Sequence, residues 1–286
     1  MAATASNSRT SKRFPGNARA LLAALVVFAV NWPASAADPV SAILGVACKP
    51  PFDDPSPIRN ALAGARVIGH ALIPAGMPPV RAESKFLLPD GRRVEVDRLF
   101  PGGRLRRVGI EVHAPRPSES VRADADCRIT EVRRIDYDGA GRAQLIRVFG
   151  SDRERLIESI DLNPPPPKAA DPGGIAVALI DSGVNYLISP FSDRLARNFD
   201  GQLIGYDFWD LDDRPFDIDT GRSAFFPLRH GSTVMSVLIS EAPMARILPI
   251  RYPRPDMTRM RDVIDWIGAR DVLIVNLAMG SNKRSD

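Results

Sequence analysis

The residues best placed to do chemistry are Asp181 and His230. Asp181 closes the run Ile175-Ala-Val-Ala-Leu-Ile-Asp181, in which six apolar or small residues lead without a break into a carboxylate. Gly173-Gly174 opens the run and Ser182-Gly183 turns the backbone after it. Such a segment reads as a strand buried on both faces, of the kind parallel sheets contain. Reactive groups in those sheets lie just beyond the carboxyl ends of the strands. A buried carboxylate is costly unless something pairs with it. The expected partner is His230, which opens His230-Gly-Ser-Thr-Val-Met-Ser-Val-Leu238.

Asp181-Ser-Gly at the end of a buried strand, then His230-Gly-Ser-x-Val opening a helix, resembles the subtilisin-like serine peptidases. That family orders its triad as Asp, His, Ser, and the 49-residue separation of Asp181 and His230 suits it. Two weaker segments extend the resemblance over about residues 173–286. One is the acidic stretch Gly205–Asp217, similar to the segment that precedes the histidine in many members. The other is Val272–Ser281, similar to the family strand that ends near the substrate; that strand is interior in the family, and in this chain Val272–Leu277 is expected to keep an exposed apolar edge.

The resemblance implies an α/β fold: a subtilisin-like parallel sheet flanked by helices, incomplete here, preceded by a small β-rich domain. It also implies serine-type endopeptidase activity on a polypeptide substrate. His230 would be the general base and Asp181 its orienter, fixing the imidazole tautomer and stabilising the imidazolium. Gly280, in Ala278-Met-Gly280 where the family usually has Ser-Leu-Gly, would meet substrate through its backbone. Met235 stands where the family prefers a small residue.

The family nucleophile belongs to a Gly-Thr-Ser-x-Ala segment opening a later helix, and its oxyanion-hole Asn lies between the His and that Ser. Neither segment occurs among the 56 residues that follow His230. The expectation is the front part of a peptidase domain, inactive as a 286-residue chain. The alternative is a non-catalytic exported protein that binds peptides or a partner on a degenerate peptidase scaffold. Ser223 precedes His230 in Gly221-Arg-Ser-Ala-Phe-Phe-Pro227, and no helix is expected after Ser281 or Ser285, so all three read as loop serines. No Gly-x-Ser-x-Gly elbow is present, which removes an α/β-hydrolase reading. Asp207, Asp210, Asp212, Asp213, Asp217 and Asp219 crowd one loop, but their spacing fits no calcium motif. That loop is expected to be solvated, with no metal and no cofactor.

These residues must be held by the elements around them. Ala245–Arg251 reads as a strand, Met257–Arg270 as an amphipathic helix with Met260, Val263, Ile264 and Ile267 on one side, and Val272–Leu277 as the next strand. That β-α-β order supports a parallel sheet. Residues 37–162 differ in character. Lys85–Leu88 and Arg92–Val96 flank Pro89-Asp-Gly91, and Cys127–Ile135 and Ala143–Phe149 flank Asp138-Gly-Ala-Gly141, two hairpin patterns. Val108–His113 alternates as well, and a helix fits only near Pro57–Ala65. The region reads as a β-rich accessory or prodomain-like unit in which His70 and His113 are structural. Residues 163–174, with four consecutive prolines and a closing glycine pair, form an extended linker before the domain at 175–286.

The placement of charge bears on the compartment. The chain carries a formal charge of +4. Residues 1–36 hold Arg9, Lys12, Arg13 and Arg19 and no acidic residue, so the remainder balances 34 basic against 34 acidic residues. No nucleic-acid footprint is left. The basic start, the short apolar core Ala20–Val30 and Ala34-Ser-Ala36 form a signal peptide pattern, so an exported product is expected, periplasmic or secreted, with no membrane segment after cleavage. Cys48 and Cys127 are the two cysteines. Oxidising compartments favour their pairing, and closing that loop would stabilise by roughly 4–5 kcal/mol; the alternatives are two buried free thiols or a partner in a longer chain.

Overall fold

Residues that alternate apolar with charged build the central strands of the larger of two sheets. The computed structural model describes residues 38–74, 78–252 and 258–278. The signal peptide pattern and Gly280 lie outside them. Residues from Asp38 onward form one compact unit.

Two short helices come first, α1 (Pro39–Ala47) and α2 (Ser56–Ala61). Asp38 caps α1 by accepting a hydrogen bond from Val40 N at 3.0 Å, and Pro39 fits the first helical turn, where its missing N–H costs nothing. Eight strands follow: β1 (Arg66–Ile73), β2 (Arg81–Leu87), β3 (Arg93–Leu99), β4 (Arg107–His113), β5 (Pro117–Asp124), β6 (Ile129–Tyr137), β7 (Ala143–Phe149) and β8 (Leu156–Asp161). They pair antiparallel in sequence order. The β2–β3 hairpin closes through Leu88 N to Arg92 O at 2.8 Å, with Gly91 at φ +85°. Positive φ is what a glycine supplies there.

Alternation sorts the two faces of this sheet. Val94, Val96, Val108, Ile110, Val121 and Val132 point to one side and form a core with Val40, Ile43 and Ile58 of the helices. Arg98 is fully buried on that side and donates to Asp54 O at 3.0 Å and Pro51 O at 3.3 Å, which pins the link between α1 and α2. Cys48 and Cys127 form a disulfide with 5.9 Å between their Cα atoms, tying the end of α1 to the turn before β6. A disulfide of this kind is compatible with an exported protein. Among the described residues, no helix is long and apolar enough to cross a membrane.

A second, smaller sheet carries β9 (Ile175–Asp181), β10 (Tyr206–Asp207), β11 (Ala245–Arg251) and β12 (Ile274–Leu277), all parallel, in the order β10-β11-β9-β12. Helix α3 (His230–Glu241) precedes β11, and α4 (Met260–Gly268) connects β11 to β12. The pleat of β9 divides these helices between its faces. Val177 and Leu179 pack in one core with Met235 of α3, and Ala178 and Ile180 in another with Val263 and Ile267 of α4.

The expected subtilisin-like α/β fold, a parallel sheet flanked by helices, is not the fold of this chain. The structure is mostly β: an eight-stranded antiparallel sheet beside a small parallel one of four strands. Among the described residues there are four α-helices, and two of them precede the antiparallel sheet. The expectation took the architecture from one doubly buried strand and two motifs. The alternating pattern from Arg66 to Asp161 occupies more of the chain, and it demands antiparallel pairing with one polar face.

The strand expected over Val272–Leu277 is shorter, and it keeps the exposed apolar edge expected of it. β12 is an edge strand paired with β9, and Ile274, Val275 and Leu277 are exposed. The apolar side chains of α4 turn to Ala178 and Ile180 of β9, so β12 receives no cover from it.

Candidate functional site

Asp181 and His230 meet at the carboxyl end of β9. The chain leaves β9 to reach β11 on one side and later returns past it to β12 on the other, so the end of β9 is a topological switch point, where crevices form in parallel sheets. The Nδ1 of His230 lies 2.8 Å from one Asp181 oxygen and 3.0 Å from the other. A carboxylate only accepts, so Nδ1 carries the proton and donates it. Asp181 is fully buried, whereas the His230 side chain is 45% exposed. Ser182 N donates to the same carboxylate at 2.7 Å, and the Asp181 carbonyl accepts from Tyr252 N at 2.9 Å.

What holds the histidine is the start of α3. No side chain at Arg229 caps the helix, so its first N–H groups need partners from elsewhere. Gly231 N donates to Ser182 Oγ at 2.8 Å, and Ser232 N donates to Asp217 Oδ2 at 2.7 Å. Ser182 Oγ in turn donates to Asp217 Oδ1 at 2.6 Å, and Ser232 Oγ accepts from Asn185 N at 2.9 Å. Burial pushes the Asp217 carboxyl above its ordinary range, although the hydrogen bonds from Ser182 and Ser232 pull it back. Gly183 and Gly231 let these backbones touch. Gly183 has φ +100°, and a β-carbon there would stand 2.6 Å from the carbonyl oxygens of Pro215 and Phe216.

Beside Asp181 in the sheet register sits Arg251, at the end of β11. It is buried and donates to Asp207 at 2.6 Å, to Asp210 and to Ile218 O at 2.7 Å. Burial works against the Arg251 charge, yet Asp207 and Asp210 raise its affinity for the proton. Asp207 is itself pushed up to about 6, chiefly by burial and against the pull of Arg251.

The acidic loop was expected to be solvated, and here the structure corrects the sequence. Asp207 and Asp217 have no exposed surface and Asp219 is buried. Asp212 accepts from Asn163 Nδ2 at 2.7 Å, which ties the loop to the proline-rich segment. Two signals pointed to this arrangement. An arginine ending an apolar strand needs a buried counter-ion, and a helix whose preceding residue cannot cap it needs an acceptor from another segment.

Ser223 accepts from Phe226 N at 3.2 Å, as a loop serine does. Ser281 and Ser285 lie outside the described residues. Met235 is fully buried against Val177, Leu179 and Phe225 in one cluster. His70 is held by Ser84 and the Asp53 carbonyl, and His113 by Arg93 at 3.0 Å, all far from β9 in sequence and bound into the antiparallel sheet. Among the described residues, no group of three or more His, Cys, Asp or Glu side chains could hold a metal ion. No protein-family model matches the chain, and no curated protein matches it.

Proposed function

We propose that the chain is an exported serine-type endopeptidase unit in which His230 is the general base and Asp181 its orienting carboxylate. The observation that supports this reading is the contact of both Asp181 oxygens with His230 Nδ1, at 2.8 and 3.0 Å, with the carboxylate fully buried and the imidazole half exposed. With the proton on Nδ1, the basic lone pair of the neutral ring is on Nε2. A serine hydroxyl brought to that nitrogen would lose its proton to the imidazole as the oxygen attacks a peptide carbonyl. Asp181 would stabilise the imidazolium formed, and the imidazolium would then protonate the leaving amine. The motif resemblance and the basic, apolar start of the chain support the same reading, and the disulfide suits export.

The nucleophile is assigned to none of the serines described. The test uses protein expressed from its full coding sequence, read beyond Asp286 wherever that sequence continues. A fluorophosphonate probe should label one serine, and His230→Ala and Asp181→Ala should each abolish the labelling. Full-length protein that folds, binds peptides and takes no label would favour the non-catalytic binding scaffold instead.

A further inference from the structure

We propose that Asp217 is the positioning residue of the Asp181–His230 pair: its buried carboxylate ties the residue after Asp181 to the residues after His230. The four residues involved come from three separate segments. Ser182 follows Asp181 at the end of β9, Asp217 lies in the acidic loop, and Gly231 and Ser232 follow His230 in the first turn of α3.

The bonding runs in one direction. Asp217 Oδ1 accepts from Ser182 Oγ at 2.6 Å, and Oδ2 accepts from Ser232 N at 2.7 Å. With its proton committed to Asp217, the Ser182 hydroxyl offers only lone pairs to its other neighbour, and it accepts from Gly231 N at 2.8 Å. One carboxylate therefore directs the capping of two consecutive N–H groups immediately after His230. Negative charge at a helix N-terminus is favourable in itself. Asp217 has no exposed surface and Ser182 almost none, so water cannot substitute for either acceptor. The imidazole direction follows from the backbone at His230, and that backbone is fixed one and two residues on by this network. Asp217 bonds to Ser182 and Ser232 and acts on the imidazole through them, which makes it a positioning group and not a catalytic one.

The inference rests on the reading of Asp181 and His230 as a functional pair, but its test does not require hydrolysis. The full chain, labelled with ¹⁵N, is compared as wild type, Asp217→Ala, Asp217→Asn and Ser182→Ala. Two signals are followed: the downfield Nδ1–H resonance of His230 and amide hydrogen exchange at Gly231 and Ser232. Asp217→Ala should speed exchange at both amides by roughly 10- to 100-fold and weaken or shift the Nδ1–H resonance. Amides of Val177–Ile180 in β9 should keep their protection, which separates local loosening from global unfolding.

Ser182→Ala should affect Gly231 more than Ser232, because it spares the bond to Asp217 Oδ2. Asp217→Asn retains one acceptor oxygen and should fall between wild type and Asp217→Ala. Should the alanine variant at 217 fail to fold, the other two variants carry the comparison. An unchanged His230 resonance in every variant that folds would overturn the role of Asp217 and leave the peptidase reading standing. A changed resonance in protein that never labels with fluorophosphonate would do the reverse.

Discussion

Gly231 lies against Gly183 so closely that a β-carbon on Gly231 would stand 2.0 Å from the Gly183 carbonyl oxygen and 3.2 Å from the β-carbon of Asp181. The opposing atom at 2.0 Å is backbone, so no side chain can swing aside. The glycine after the histidine is thus a steric requirement of bringing α3 onto the end of β9. Gly231→Ala should cost at least roughly 3 kcal/mol, the upper part of the usual range for overpacking. A thermal melt gives the loss, and the Nδ1–H resonance of His230 should shift as the helix start is pushed from Asp181. Full retention of both stability and resonance would contradict this packing.

The disulfide acts on the other end of the molecule. Cys48 and Cys127 are 79 residues apart, and on the chain-entropy model the bond stabilises by roughly 4–5 kcal/mol. The core it supports contains α1, α2 and the near face of the antiparallel sheet, whereas β9 and α3 pack in a different cluster. Reduction, or Cys48→Ser with Cys127→Ser, should lower stability in denaturant by about that amount. Exchange should quicken first at the amides of residues 40–47, and the His230 resonance should stay in place at low denaturant.

Asp207 gives the stability a definite dependence on pH. Burial lifts its carboxyl from 3.8 to about 6 despite the pull of Arg251. The folded protein holds that proton more tightly than the unfolded chain does. Its contribution is therefore full below 3.8 and is lost as the pH rises through about 6, by roughly 3 kcal/mol. Asp38 runs the opposite way. Burial works against its charge, but bonds from Arg153 and Ser41 outweigh it and hold the carboxyl at about 2. Its contribution is present above 3.8 and fades only toward pH 2, outside the Asp207 window. Between pH 4 and 7, wild type should lose stability relative to Asp207→Asn as pH rises. Parallel melting curves for the two proteins across that range would refute the assignment.

What the sequence revealed depended on how local the cause was. A buried strand ending in aspartate and a histidine opening a helix are short-range patterns, and the structure brings Asp181 and His230 into contact. The hairpins around Pro89-Asp-Gly91 and Asp138-Gly-Ala-Gly141 were legible for the same reason, since turn geometry depends on a few adjacent residues. The sheet class was not. Whether β9 is surrounded by many parallel strands or by few depends on pairings across the chain, and no motif at Asp181 encodes that number. Helix α1 was missed because its apolar residues Val40, Ile43 and Ala47 adjoin the apolar stretch before residue 37, which hid its period. The acidic loop was misread because six aspartates in thirteen residues look solvated until Arg251, Ser182 and the uncapped start of α3 are placed beside them.

The loop that delivers His230 is itself fastened to the antiparallel sheet. The guanidinium carbons of Arg122 on β5 and Arg133 on β6 stand 3.2 and 4.4 Å from the ring centroid of Phe226. Arg133 also donates to Phe225 O at 2.9 Å, and Phe225 is fully buried in a core that includes Ile135 and Ile146 of the sheet. The residues just before α3 are therefore clamped by a sheet that precedes the site in sequence. Cation–π contacts contribute roughly 0.5–2 kcal/mol depending on exposure. Phe226→Leu keeps apolar bulk and removes the aromatic face. It should lower stability by about 1 kcal/mol and speed exchange and proteolysis across residues 221–228. Arg133→Ala should do more, since it loses both the ring contact and the bond to the Phe225 carbonyl. If the two variants were combined, the loss should fall short of additive, because both remove the same contact. Strict additivity, with the loop as protected as in wild type, would mean that the sheet does not hold the His230 loop through Phe226.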